Sequence, residues 1–165
     1  MKKAVFLDRD GVINKEVGDY VYKVSDFIIN KGVFEALKLL QDAGYLLIII
    51  TNQGGIAKNI YTKQDVDKVH GFLNSELQKH NIKLTEIYYC PHHSEVNNIC
   101  LCRKPNSIMI EKAIARFNID ANKSYMIGDK NRDVEVGKKA GVKTIKISSN
   151  ENILEICKKI ISDAN

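Results

Sequence analysis

Phe6-Leu7-Asp8-Arg9-Asp10-Gly11-Val12-Ile13 is the stretch that decides the fold, because an apolar run from Ala4 to Leu7 gives way abruptly to two aspartates and a glycine. Such a run reads as a strand buried on both faces, and its carboxyl end opens into a loop where open α/β sheets place their active sites. Residues i and i+2 of a strand share a face. Extended geometry carried through Arg9 would therefore turn the carboxylates of Asp8 and Asp10 to one side of the strand tip. Two convergent carboxylates attract a hard cation such as Mg²⁺, and one of them can serve as a nucleophile. A lone pair of this kind is more often two solvated loop aspartates, so the assignment depends on the rest of the chain.

Beyond this stretch, strands and helices alternate. A helical pattern over 32–42 places Val33, Ala36, Leu37 and Leu40 on one face and is closed by Gly44. Tyr45 to Ile50 is a second apolar strand. Thr62 suits the N-cap of a long helix carrying Val66, Val69, Phe72, Leu73 and Leu77. A strand near Glu86 to Tyr89 runs into a cysteine-rich loop, and a helix follows over about 107–117. Strands at Tyr125 to Ile127 and Lys143 to Ile147 flank a helix over Val134 to Ala140, and a last helix begins near Asn152. This alternation predicts an α/β fold, a three-layer Rossmann-like domain with a central parallel sheet and right-handed crossovers. At 165 residues the chain is expected to be a single domain, 1–165, with no room for a large cap domain.

Composition narrows the function classes. The net charge of +5 comes from lysines spread along the chain with no polybasic block, which favours an anionic small molecule over nucleic acid as partner. No stretch approaches the roughly 18 apolar residues of a membrane span, and no signal-peptide pattern precedes the first strand, so a cytoplasmic protein without membrane contact is expected. A monomer is expected as well. In that compartment the four cysteines read as thiols or metal ligands rather than disulfides.

Three further segments carry chemistry. Thr51-Asn52-Gln53-Gly54-Gly55 ends the second strand and offers a hydroxyl and several backbone N–H groups to an oxyanion, although alone it reads equally well as a turn. Gly128-Asp129-Lys130-Asn131-Arg132-Asp133 delivers Asp129 to another strand tip. Asp129 can complete a cation site with the first segment, and Asp133 could orient Lys130 or support a ligand from behind. Arg103-Lys104-Pro105 sets two cations ahead of a helix whose first turn Pro105 suits, where an ammonium can hold a phosphate against the repulsion of the carboxylates.

In this order the four segments resemble the haloacid dehalogenase (HAD) superfamily of phosphohydrolases, and the match spans nearly the whole chain. The resemblance implies that Asp8 attacks phosphorus to form an aspartyl-phosphate, while Asp10 protonates the leaving oxygen and later activates water. It implies Mg²⁺ bound by Asp8, the backbone carbonyl of Asp10 and Asp129, with Thr51 and Lys104 stabilising the phosphoryl group in transfer.

The insertion over about 90–102 is a second metal candidate. Cys90-Pro91-His92 and Cys100-Leu101-Cys102 form two short-spaced pairs that fit a closed, structural Cys₃His zinc site, and the spacing leaves His93 as an alternative to His92. Cys157, among Ile153, Ile156 and Ile160, reads as a core thiol. C-P-H followed by C-x-C-R-K-P is similar to the zinc-containing sugar phosphatases that act on D-glycero-D-manno-heptose 1,7-bisphosphate, and to the histidinol-phosphate phosphatases. Thr51 to Lys58 is nearer the heptose pattern T-N-Q-S-G-I-A-R, with Gly54 and Lys58 as departures, whereas the zinc loop has a length nearer the histidinol-phosphate class. The heptose resemblance implies removal of the 7-phosphate in nucleotide-heptose biosynthesis. Gly18, Asp19 and Tyr20 would then face the sugar, Asn52, Gln53, Gly54 and Lys130 would contact the substrate, and Arg103 would recognise the second phosphate. The alternatives are a histidinol-phosphate phosphatase and a non-catalytic phosphosugar-binding module.

Overall fold

Strand β1 (Lys3–Leu7) is paired on both sides, with β2 (Tyr45–Asn52) on one flank and β4 (Tyr125–Gly128) on the other. The computed structural model, which describes residues 1–97 and 100–163, completes the sheet with β3 (Glu86–Cys90) and β5 (Lys143–Lys146). All four pairings are parallel and the order is β3-β2-β1-β4-β5. The chain leaves β1 toward β2 on one side and reaches β4 on the other, so the order reverses at β1. Strand tips at such a reversal diverge into a crevice, the usual ligand site of an open α/β sheet.

Helices cover both faces. Apolar residues of α1 (Val33–Asp42), α2 (Lys63–Lys79) and α5 (Leu154–Ser162) join Val5, Leu7, Leu47 and Ile49 in one core. Those of α3 (Ile108–Phe117) and α4 (Asn131–Lys139) join Ala4, Phe6, Ile48 and Ile50 in the other. Alternate residues of β1 and β2 thus feed opposite layers, as strand geometry requires. Helix α2 starts at a reciprocal cap: the Thr62 hydroxyl accepts from the Asp65 N–H and the Asp65 carboxylate accepts from the Thr62 N–H. Cys157 is fully buried in the first core, and that burial pushes its thiol up to about 12. No helix among the described residues is long and apolar enough to cross a membrane.

The three-layer α/β arrangement is the one the alternation of elements predicts, and the starts of two helices next to the site differ. Helix α4 begins at Asn131 rather than at Val134, because the Asp133 carboxylate accepts from the Lys130 N–H and opens the helix one turn before its apolar periodicity starts. Helix α3 begins at Ile108, so Pro105 stands ahead of the helix and not in its first turn.

Candidate active site

The chain does not stay extended through Arg9. Strand β1 ends at Leu7, the Arg9 carbonyl accepts from the N–H groups of Val12, Ile13 and Asn14, and Gly11 takes a φ of +85°. A Cβ at Gly11 would lie 2.4 Å from an Asp129 carboxylate oxygen, so glycine is required both for the turn and for the approach of β4. The turn separates the environments of the two aspartates that a continuous strand would have placed side by side. Asp8 stays at the tip among buried charges, and Asp10 reaches the wall of the cavity.

Asp8 belongs to a dry ionic cluster. The Lys104 ammonium, 2% exposed, forms ion pairs with Asp8 Oδ1 at 2.8 Å and Asp133 Oδ1 at 2.7 Å and donates to the Ile50 carbonyl at 2.9 Å. Asp133 orients Lys104 with one oxygen and caps α4 through the Lys130 N–H with the other, so its link to Lys130 runs through the backbone and not the ammonium. Asp8, Asp129 and Asp133 can bring carboxylate oxygens within 4.8 Å of one another. One oxygen of Asp129 bonds Lys130 Nζ at 3.0 Å and the Ser149 hydroxyl, while the other is buried without a partner. An orphaned carboxylate oxygen beside a second carboxylate is a fitting place for a hard divalent cation. The side chain of Asp10 is not part of this trio.

The two aspartates differ electrostatically. Burial raises Asp8 to about 7, against the pull of Lys104. Burial acts on Asp10 in the same direction, but the Arg9 guanidinium at 2.8 Å, Asn14 Nδ2 at 2.9 Å and Gln53 Nε2 at 3.1 Å hold it below its ordinary value. Arg9, which carries no functional signal in the sequence, is 1% exposed and also donates to the Val21 carbonyl at 2.7 Å.

The T-N-Q-G-G segment is a scaffold as much as a cradle. Gln53 bonds Asp10 and the Thr51 hydroxyl through its amide nitrogen and accepts from Tyr61 through its oxygen. Asn52 exchanges two bonds with the backbone of Lys104, at 3.0 and 3.2 Å. A Cβ at Gly55 would lie 2.0 Å from the Tyr61 ring, and that ring stacks on Tyr22 with centroids 5.0 Å apart. Tyr22 and Tyr61 carried no signal in sequence, because their role depends on a loop packing onto the start of α2.

A cavity of about 470 Å³ is lined by Asp10, Gly18, Asp19, Tyr20, Asn52, Gln53 and Lys130 together with Arg9, Glu16, Val21 and Arg132. The structure thus brings six of the eight candidate substrate residues to one cavity. Gly54 and Arg103 are outside its wall. Arg103 instead donates to the His92 carbonyl at 2.8 Å, in space that a side chain at residue 54 would crowd.

Cys90, His92, Cys100 and Cys102 converge, with Sγ and Nδ1 atoms 3.0 to 3.6 Å apart. A tetrahedral zinc with Zn–S bonds of about 2.3 Å spaces its ligands by about 3.8 Å, so the four atoms already have nearly that shape. His92 is the histidine in the cluster; His93 instead accepts from the Glu95 N–H at 3.2 Å. Burial pushes the Cys90 thiol up. Cys100, also raised by burial, is drawn down to about 7 by hydrogen bonds from Cys102 and the Arg103 N–H. Asn98 and Ile99 of this loop lie outside the described residues.

The parallel sheet with carboxylates at the β1 and β4 tips and a buried lysine between them defines a HAD-like hydrolase. A family model described as "HAD-hyrolase-like" matches residues 101–159. A D-glycero-beta-D-manno-heptose-1,7-bisphosphate 7-phosphatase of Haemophilus ducreyi is 45% identical over 148 residues, 87% of this chain and 81% of that protein. The D-glycero-D-manno-heptose-1,7-bisphosphate 7-phosphatase of Chlorobaculum tepidum is 40% identical over 167 residues, 95% of this chain and 84% of that one. The crystal structure of a D,D-heptose 1,7-bisphosphate phosphatase from B. bronchiseptica, complexed with magnesium and phosphate, superposes with a TM-score of 0.83 over 98% of this chain and 99% of that one. At 23% identity it attests the fold. The chain belongs to this family of heptose-bisphosphate phosphatases within the HAD-like hydrolases.

Proposed function

We propose that the chain is a Mg²⁺-dependent phosphatase that removes the 7-phosphate of D-glycero-D-manno-heptose 1,7-bisphosphate. The observation that carries the chemistry is the buried Asp8–Lys104–Asp133 cluster at the strand tips, beside the unpartnered oxygen of Asp129. The substrate follows from the relatives, whose names agree on the heptose bisphosphate over nearly all of this chain.

In this reading Asp8 is the nucleophile. Its carboxylate attacks phosphorus, an aspartyl-phosphate forms, and the bond to the sugar oxygen breaks. Asp10 gives its proton to that leaving oxygen and then takes one from the water that hydrolyses the intermediate. At rest the electrostatics oppose these roles, since burial favours a proton on Asp8 and Arg9 favours the carboxylate of Asp10. The phosphate dianion arriving beside Asp10 raises its proton affinity, and a cation beside Asp8 lowers that of the nucleophile. Asp8, the Asp10 carbonyl and Asp129 would hold Mg²⁺, which when bound neutralises charge on the phosphoryl oxygens. Lys104 exchanges a carboxylate for a phosphoryl oxygen, and the Thr51 hydroxyl donates to another.

Cys90, His92, Cys100 and Cys102 would hold a structural zinc. The bond from the Arg103 N–H to Cys100 Sγ at 3.3 Å ties that loop to the residue preceding Lys104. Gly18, Asp19 and Tyr20 face the sugar, and Asn52, Gln53 and Lys130, which line the same cavity, complete the substrate contacts.

Parallel turnover of heptose 1,7-bisphosphate, histidinol phosphate and fructose 1,6-bisphosphate tests the assignment. The heptose should be preferred, with activity abolished by EDTA and restored by Mg²⁺. Preference for histidinol phosphate would overturn the substrate, and release of phosphate that ignores chelation would overturn the mechanism.

A further inference from the structure

The part of the cavity wall that follows β1 has little hold of its own. Glu16, Gly18, Asp19, Tyr20 and Val21 line the cavity, yet among the described residues none of 16–22 makes a backbone–backbone hydrogen bond. Within this loop Glu16 Oε1 accepts from the Gly18 N–H at 2.8 Å and Asp19 Oδ1 accepts from the Tyr20 N–H at 2.7 Å, which shapes the loop without anchoring it. Its far end is held by Arg9, which donates to the Val21 carbonyl at 2.7 Å, and by the rings of Tyr20 and Tyr22 against Tyr61. Its near end is held by one side chain 134 residues away. Asn150 Oδ1 accepts from the Glu16 N–H at 2.7 Å, and Asn150 Nδ2 donates to the Glu16 carbonyl at 3.0 Å.

Asn150 is itself fixed to the β1 turn. It lies between β5 and α5 with a φ of +66°, a region asparagine enters more readily than most side chains, and its own N–H donates to the Gly11 carbonyl at 2.8 Å. The preceding Ser149 hydroxyl donates to Asp129. One short loop thus touches a strand-tip carboxylate with one residue and the cavity wall with the next. We propose that Asn150 is a positioning residue for substrate selection, holding loop 16–20 where Glu16, Asp19 and Tyr20 can meet the hydroxyls of a polyhydroxylated substrate. The proposal rests on the reading of the chain as a heptose-bisphosphate phosphatase. Releasing the loop lowers the fraction of molecules whose wall is in place, and apparent affinity falls by that fraction. The Asp8–Lys104–Asp133 cluster, which Asn150 does not touch, keeps its geometry.

The experiment measures kcat and KM separately for wild type, Asn150→Gly and Asn150→Asp on heptose 1,7-bisphosphate and on p-nitrophenyl phosphate, whose leaving group carries no hydroxyls. Asn150→Gly keeps the left-handed backbone and removes only the amide. Its KM for the heptose should rise about five- to thirty-fold, the scale of losing one or two neutral hydrogen bonds, with kcat nearly unchanged. Both constants on p-nitrophenyl phosphate should stay near those of wild type. Asn150→Asp still accepts from the Glu16 N–H but sets a carboxylate against the Glu16 carbonyl, so its KM should fall between the two. Equal losses on both substrates, a loss confined to kcat, or no loss in either variant would overturn the proposal while leaving the heptose reading intact. A wild type that hydrolyses p-nitrophenyl phosphate more efficiently than the heptose would overturn that reading and the proposal with it.

Discussion

The two groups of metal-type side chains are built in opposite ways. Asp8, Asp129 and Asp133 stand at the β1 tip, the β4 tip and the first turn of α4, all buried, and Lys104 and a helix cap fix two of them. Cys90 alone of the thiol group ends a strand, while His92, Cys100 and Cys102 are loop residues of intermediate burial. The carboxylates are placed by the sheet whether or not an ion arrives. The thiols converge on a loop whose Cys100 and Cys102 are only half-buried at the edge of the second core, so a bound metal would add to what holds the loop together.

That contrast breaks if the carboxylate side fails as a scaffold. Asp8→Asn removes the proposed nucleophile and leaves Lys104 its ion pair with Asp133 and its bond to the Ile50 carbonyl, so turnover should fall by on the order of 10⁶-fold, the scale of losing a nucleophile. The fold should survive, with a circular dichroism spectrum and melting cooperativity like those of wild type. Substantial turnover by Asp8→Asn would exclude the aspartyl-phosphate route, and a molten variant would show that the sheet does not place the cluster by itself.

The thiol side sharpens the comparison at smaller scale. Purified protein should carry about one zinc per chain, and Cys100→Ser should lower zinc affinity together with kcat. The effect on activity is expected to be roughly 10- to 100-fold, the scale of disturbing support around a site, because Arg103 and Lys104 follow directly on Cys102. Unchanged zinc content with unchanged activity would contradict both the ligand set and its coupling to Lys104.

The same contrast explains what could be read without coordinates. Strands buried on both faces announce themselves as unbroken apolar runs, so the sheet and its loaded tips at Asp8, Thr51 and Asp129 were legible, as was the thiol loop from its paired spacing. Arg9 was not, since an arginine between two aspartates looks like a solvated charge and only the turn at Gly11 drives it inward. The start of α4 was hidden because Asn131-Arg132-Asp133 has no apolar period and its helical state comes from a cap. Arg132 and Glu16 were missed for a related reason: they lie far apart in the chain and share a wall only once the loop after β1 folds over the first turn of α4. Asp10 does reach the cavity, but a turn, and not the continued strand its spacing suggests, brings it there.

The smallest effect is a pH dependence that sets two buried groups against each other. Asp8 is raised from 3.8 to about 7, so with no added magnesium the folded state holds a proton the unfolded state has released. Stability should therefore fall as pH rises across that window. His70, lowered from 6.5 to about 3 by burial and by Arg9, whose guanidinium lies 3.4 Å away, behaves oppositely. The unfolded state takes up the proton first, so its contribution is full above 6.5 and is lost as pH falls toward 3. Between about pH 4 and 6.5 the two slopes oppose, each at most about 1.4 kcal/mol per pH unit, and the wild type should be nearly flat. Asp8→Asn leaves only the histidine to titrate, so its denaturant-derived stability should rise with pH over that interval. In His70→Gln the aspartate remains and stability should fall. Parallel slopes in the two variants would show that these buried groups do not set the acid profile.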